Sequence, residues 1–325
     1  MKTSMFRRGA MGLVLMVCLM LAGAPLVLAA DTFPSKPITV LVSSAAGSPA
    51  DLMAREVAHF AGKYIGQPMV VVNKTGGSGG VMFAALKTAP TDGYTIAAAT
   101  AGQFAAMHSQ LKKDFSFNEF DFLYNVQMEP YALAVRANSP FKTLKDMIDY
   151  AKKNPDKGKL QIGGQGTGSS LHLLCLQLAE EAGFKFTWLP YKGGSETVTN
   201  LLGGHVQAGS TAPATVSQYV EAGKIRVLAI TGDKRLAHMK DVPTFKEMGY
   251  NIELTQYRGI IAKQGLPGDV KGKIIEAIKK GVQDPGFKAF MAKTHQPDGS
   301  LGPEEFLAYA KKDFDLVGKL MKMIP

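Results

Sequence analysis

The stretch Ile38-Thr39-Val40-Leu41-Val42-Ser43-Ser44-Ala45-Ala46-Gly47-Ser48-Pro49-Ala50-Asp51 decides the fold class. Its first five residues are a short apolar run and read as a buried strand. Small residues and a glycine then turn the chain. Ser48 suits an N-cap, Pro49 the first helical position, and Asp51 stands three residues after the cap. An amphipathic helix follows, from about Pro49 to Gly62. A strand that passes through a short turn straight into a helix is the repeating unit of an α/β protein.

The same alternation continues outward from this stretch. Strands are expected at Met69–Val72, Tyr94–Ala99, Tyr131–Val135, Leu160–Ile162, Phe186–Leu189, Val206–Ser210 and Val227–Ile230. Helices are expected near Val81–Lys87, Thr143–Asn154, Ser170–Ala182, Glu196–Leu202 and Pro213–Ala222, with a mostly helical C-terminus over Asp269–Gln283, Gly286–Lys293 and Pro303–Met323. Connections of a few residues between such elements predict α/β architecture with mainly parallel sheets. No Pro/Gly/Ser linker divides the chain, so two domains joined by crossing strands are favoured over beads on a string.

Residues 1–30 have a different composition. Lys2, Arg7 and Arg8 precede an uncharged apolar run from Ala10 to Leu28, broken by Pro25 and ended by Ala29-Ala30. This is the pattern of a secretory signal cleaved near Ala29/Ala30. The run is long enough to span a bilayer, so the rival reading is an uncleaved anchor. No second such segment exists, which excludes a multi-span transporter. The segment carries three of the 37 basic residues and none of the 27 acidic ones, so the formal charge of +10 falls to +7 over the remaining 295 residues. That charge is spread over helices without interleaved aromatics, and nucleic acid is not expected as a partner. One of the two cysteines, Cys18, leaves with the segment. Cys175 sits among leucines and reads as a small core residue.

Three strand-to-helix turns could carry chemistry. Gly47, Ser48 and Asp51 form a mouth of free backbone N–H groups, the kind that binds carboxylate or phosphate. Alone it reads as a well-capped helix, because most helix starts bind nothing. The second is Gly163-Gly164-Gln165-Gly166-Thr167-Gly168-Ser169-Ser170-Leu171-His172, where glycines admit a ligand close to the backbone and three hydroxyls add donors. Its glycine spacing fits neither a dinucleotide fingerprint nor a P-loop. The third, Gly76-Gly77-Ser78-Gly79-Gly80, matches the nucleophile-elbow pattern, which keeps a serine hydrolase using Ser78 as an alternative. None of the six histidines pairs with another at metal-binding spacing, so no metal and no cofactor is expected.

An ordered set of residues carries a family likeness. It comprises Phe33-Pro34, Lys36-Pro37-Ile38, Gly47 to Asp51 with Arg55, Val72-Asn73-Lys74, Asp92-Gly93-Tyr94-Thr95, Gly166 to Ser170 with His172, Pro190-Tyr191-Lys192-Gly193, Leu201-Leu202-Gly203-Gly204 and Asp241-Val242-Pro243-Thr244. In that order they resemble the Bug-type solute receptors of tripartite tricarboxylate transporters, across essentially the whole chain after residue 30. The resemblance implies a two-lobed type II periplasmic binding protein with two crossing strands as hinge and the ligand in the interlobe cleft. Lobe 1 would be 31–130 plus 258–325 and lobe 2 131–257. It further implies a monomeric, non-catalytic receptor that hands a small carboxylate to membrane permease subunits. The same lobes could instead serve a sensory partner. Two helix N-termini, matching Gly47-Ser48 and Thr167-Gly168-Ser169-Ser170, would face the carboxylate, which raises the standing of the first mouth. Thr100, Ala101, Gln103, Ser210 and Thr211 occupy loop ends facing the implied cleft. In the second crossing segment Tyr257 and Arg258 stand where the family often has Trp-Phe, and Arg258 reads either as a fork for a second carboxylate or as a structural pair. The aromatic usual in the family's first loop is replaced by Ser43-Ser44-Ala45-Ala46, which suggests a roomier or more polar pocket.

Overall fold

The structure is a computed structural model and describes residues 33–156 and 160–324. The expected signal segment lies outside the described residues. Lys36–Pro325 form one compact unit.

Eleven strands, among the described residues, make two sheets. The first is built from β1 (Ile38–Val42), β2 (Met69–Asn73), β3 (Thr95–Thr100), β4 (Phe120–Pro130), β10 (Thr255–Lys263) and β11 (Asp298–Leu301), in the order β11-β4-β10-β3-β1-β2. The second holds β5 (Ala132–Arg136), β6 (Gln161–Gln165), β7 (Thr187–Tyr191), β8 (Ala208–Thr211) and β9 (Ile225–Ile230), in the order β7-β6-β8-β5-β9. Helices α1 (Pro49–Ile65), α2 (Gly80–Thr88) and the single turn α3 (Ala101–Ala105) follow β1, β2 and β3. Helices α4 (Leu144–Lys153), α5 (Ser170–Ala182), α6 (Gly194–Gly203) and α7 (Pro213–Glu221) belong to the second sheet's run of chain, and α8 (Gly268–Gln283), α9 (Pro285–Lys293) and α10 (Pro303–Leu320) close the sequence.

The sheets are mixed, not mainly parallel. β1 pairs in parallel with β2 and β3, and β6 with β7 and β8. β10 is antiparallel to both β3 and β4, and β5 to both β8 and β9. The cause is the crossover. The chain leaves the first sheet at Pro130, enters the second at Ala132, and returns through β10 beside β4. A strand that re-enters a sheet next to the one that left it must run the other way.

β5 shows how the second lobe is packed. Ala132 and Ala134 join one apolar cluster with Val198, Leu201 and Val216, whereas Leu133 and Val135 join another with Leu144, Ile162 and Leu174. The alternation is the period of two expected of a strand buried on both faces. The first lobe's core is aromatic, with Phe83, Phe104, Phe122, Tyr257 and Phe306 in mutual contact. The last turn of α10 crosses over: Val317 and Leu320 pack in the cluster of the second sheet. Among the described residues no helix is long and apolar enough to cross a membrane.

Candidate functional site

β1 is flanked by β2 and β3, and β6 by β7 and β8, so the chain turns both ways from each central strand. Ligands of open α/β sheets bind outside the carboxyl ends of strands at such reversals. A cavity of about 800 Å³ lies there. Its wall includes Ser43 after β1, Ser78 before α2, and Thr100, Gly102 and Gln103 at the end of β3. Opposite them are Gly166 to Leu171 after β6, Gly194 after β7, and Thr211, Ala212 and Thr215 after β8. Glu129, Tyr131, Gln256 and Arg258 of the crossing region complete it, with Met321 and Ile324 from the C-terminal tail.

The two capped mouths have closely similar backbone angles at the glycine and the cap. Gly47 has φ +80° and Gly168 φ +78°, a left-handed conformation that favours glycine. The caps Ser48 (φ −70°, ψ 159°) and Ser169 (φ −68°, ψ 159°) follow. Ser48 Oγ accepts from Asp51 N at 3.3 Å, and Ser169 Oγ from His172 N at 3.3 Å. The residue three after the cap then accepts from the glycine: Gly47 N donates to Asp51 Oδ2 at 2.8 Å, Gly168 N to His172 Nδ1 at 3.2 Å.

The acceptors differ in charge. Asp51 is fully buried and takes further bonds from Arg55 Nε at 2.9 Å and Asn73 Nδ2 at 2.8 Å. The Arg55 guanidinium, with Asn73 and Gly47, holds its carboxyl down at about 2. The positive end of α1 is therefore already occupied by the protein's own anion, and Gly47, Ser48 and Asp51 lie off the cavity wall, which this turn reaches only through Ser43. His172 is buried and stacks on Trp188 with ring centroids 4.5 Å apart. Burial pushes its pKa down to about 4, so the ring is neutral at pH 7 and carries its proton on Nε2 while Nδ1 accepts. His172 too lies behind the wall, but it leaves the positive end of α5 uncompensated. Thr167, Gly168, Ser169 and Ser170 stand on the cavity with Leu171, and the first-turn N–H groups of Ser170 and Leu171 have no carbonyl four residues back to meet.

The remaining candidates divide by strand alternation. On β10, Gln256 and Arg258 face the cavity, and Tyr257 between them points into the aromatic core, fully buried. Arg258 is committed: Nη2 meets Glu129 Oε2 at 2.9 Å, and Nη1 meets Gln127 Oε1 at 3.3 Å and Gln296 Oε1 at 3.2 Å. The pair is buried and braces β4 against β10. At the end of β8, Ser210 donates to Leu171 O at 2.9 Å beneath the first turn of α5, whereas Thr211 is on the wall. Ala101 is buried behind Thr100 and Gln103. Gln103 accepts from Thr100 N at 3.0 Å and donates to Ser43 Oγ, tying the ends of β1 and β3 together.

Ser78, read as a possible nucleophile, donates to Gln110 Oε1. An amide oxygen cannot take a proton as a general base does. Burial raises the Cys175 thiol to about 12, so it stays protonated. Among the described residues no group of three or more His, Cys, Asp or Glu side chains is placed to hold a metal ion. Sequence reasoning missed Glu129, Gln256, Gly194 and Thr215. Glu129 ends a run, Asn125, Gln127, Glu129, of buried polar residues at a period of two, and that alternation was the available signal.

Residues 53–300 match the model of the Tripartite tricarboxylate transporter family receptor. A Cupriavidus necator protein, "UPF0065 protein in gbd 5'region", is 36% identical over 306 residues, covering 92% of each chain. BugT of Bordetella pertussis is 30% identical over 281 residues, 85% of this chain and 86% of that one. A solved TctC solute binding protein from Polaromonas superimposes with a TM-score of 0.83 at 27% identity, covering 90% of this chain and all of that one. R. palustris Rpa4515, solved with adipate, shares the fold with a TM-score of 0.71 at 23% identity, over 90% and 98% of the two chains. Matched over most of its length to that receptor model, the chain belongs to the family of Bug-type solute-binding receptors of tripartite tricarboxylate transporters.

Proposed function

We propose that this protein is an exported receptor that binds a small carboxylate in the cavity between its lobes and delivers it to membrane permease subunits. The family is one of periplasmic solute receptors, not enzymes. The observation that carries the carboxylate reading is the mouth of α5, an uncompensated helix N-terminus opening on a cavity of about 800 Å³, a size usual for small-molecule sites. A carboxylate there accepts charge-assisted bonds from the N–H groups of Ser170 and Leu171 and lies at the positive end of α5. Each such bond contributes about 1.5–3 kcal/mol. The neighbour solved with adipate supports the ligand class.

The bodies that close on the ligand are 31–130 with 258–325, and 131–257, the end of α10 at Val317 and Leu320 resting on the second body. A ligand touching both binds the closed arrangement better than the open one, and shifts the population by that difference. Ser43, Thr100 and Gln103 supply the first lobe's side of the contact. Residues 1–30 direct export and are cleaved near Ala29/Ala30, and the receptor works as a monomer. Native mass spectrometry of freshly purified protein, followed by calorimetry with carboxylate probes, tests the reading. A co-purifying carboxylate, or binding below about 1 mM, supports it. A folded protein that binds none of a broad carboxylate set overturns it.

A further inference from the structure

The open mouth of α5 is covered by a sulfur atom. Beyond Leu320, which packs in the cluster of the second sheet, the chain makes one short turn over Met321–Met323. That turn lays Met321 and Ile324 against the mouth. A methyl group placed on Gly168 would lie 3.4 Å from Met321 Sδ, 3.5 Å from its Cε and 3.4 Å from Ile324 Cδ1. Met321 is partly buried and stands on the cavity wall, where no other methionine does among the described residues. Met53, Met82, Met107 and Met147 are sealed in the cores, and Met323 is exposed but off the wall. A thioether is a neutral, weak acceptor, so the sulfur borders the mouth without filling it. The cavity of about 800 Å³ gives small solutes access to it.

Resting on the carboxylate reading above, we propose that Met321 is a redox-sensitive site, whose oxidation to the sulfoxide by hydrogen peroxide closes the mouth of α5 to the ligand. A sulfur lone pair attacks one peroxide oxygen, and the O–O bond breaks as the S–O bond forms. The sulfur gives up two electrons, and the other oxygen leaves as water with both peroxide protons. Thiol-dependent reduction reverses the step: two thiols become a disulfide and the sulfoxide oxygen leaves as water. Oxidation turns an apolar side chain into a polar one with a strong acceptor oxygen. His172 accepts from inside the turn and leaves the cavity side free. The sulfoxide oxygen instead stands on the cavity side, at the positive end of the helix, and competes with the ligand's carboxylate for the N–H groups of Ser170 and Leu171.

The test treats the full chain with hydrogen peroxide, maps the added oxygen by peptide mass spectrometry, and measures calorimetry with butanoate, benzoate, succinate and adipate. With oxygen on Met321, affinity for the probe that binds untreated protein falls about tenfold or more, the loss of one charge-assisted bond. Methionine sulfoxide reductases acting on both sulfoxide epimers restore it. Met321→Leu loses no affinity on the same treatment, whatever value it starts from, and Met323→Leu remains sensitive. Met321→Gln, which sets an amide oxygen in the same place, binds weakly without peroxide. Full affinity in protein oxidised at Met321, an equal fall in treated Met321→Leu, or a Met321 left unoxidised when Met323 is oxidised overturns the redox site while the carboxylate receptor stands. Untreated, folded protein that binds none of the four probes overturns both.

Discussion

Two turns of this molecule share one backbone and have opposite fates. At Gly47-Ser48 and at Gly168-Ser169 the same left-handed glycine, the same serine cap and the same bond back to the glycine recur. At the first, the third residue after the cap is Asp51, a buried carboxylate that also gathers Arg55 and Asn73. At the second it is His172, neutral and backed by Trp188. A helix start filled by its own anion is a structural joint. A helix start closed by a neutral acceptor stays positive and can serve a ligand. Cap geometry alone does not identify an anion site. The charge of the acceptor inside the turn does.

The largest effect is expected from putting an anion into the open mouth. Ser170→Glu sets a carboxylate on the cavity wall, and carboxylate affinity falls by roughly hundredfold or more in calorimetry. Retained affinity would remove α5 from the site. Next is the closed mouth. Asp51 is held at about 2, below its ordinary 3.8, so its stabilisation is full above pH 4 and is lost as pH falls through about 2. Asp51→Asn therefore costs about 2 kcal/mol by denaturant unfolding at pH 7 and almost nothing near pH 2. Ligand affinity is expected to stay within about threefold, because Gly47, Ser48 and Asp51 lie off the cavity wall. A smaller loss in the same denaturant unfolding is expected for Arg55→Met, since that guanidinium is exposed and water screens it. The smallest expected effect is none. His172 titrates near 4, so carboxylate affinity stays flat from pH 8 to about 5.5. Tightening as pH drops through 6.5 would mean that His172 is an imidazolium facing the ligand.

How much of this was readable from sequence depends on whether a residue's partner is local. Both mouths were legible, because cap, glycine and helix lie within a few consecutive residues. Ser170–Ala182 was expected as a helix and is one. β4 was missed because buried Asn125, Gln127 and Glu129 break its hydrophobic pattern, and they are buried because β10 lies alongside, more than 120 residues away in sequence. Tyr257 and Arg258 are both candidates by sequence, yet neighbours on a strand face opposite ways, and nothing in the sequence marks which one faces the cavity. The fate of Asp51 depends on Asn73, on the next strand. Gly194 was invisible as a site residue, since its use lies in the approach of Thr211 and Thr215 from another strand and helix.

If the neutral acceptor at position 172 keeps the mouth of α5 open to a ligand's carboxylate, a charged acceptor there must close it. Calorimetry with the mono- and dicarboxylate probes on His172→Asp, beside the neutral control His172→Asn, tests it most directly. The predicted result is loss of about thirtyfold or more for His172→Asp and near-native binding for His172→Asn, both variants folded by circular dichroism. Carboxylate affinity unchanged in folded His172→Asp would contradict it.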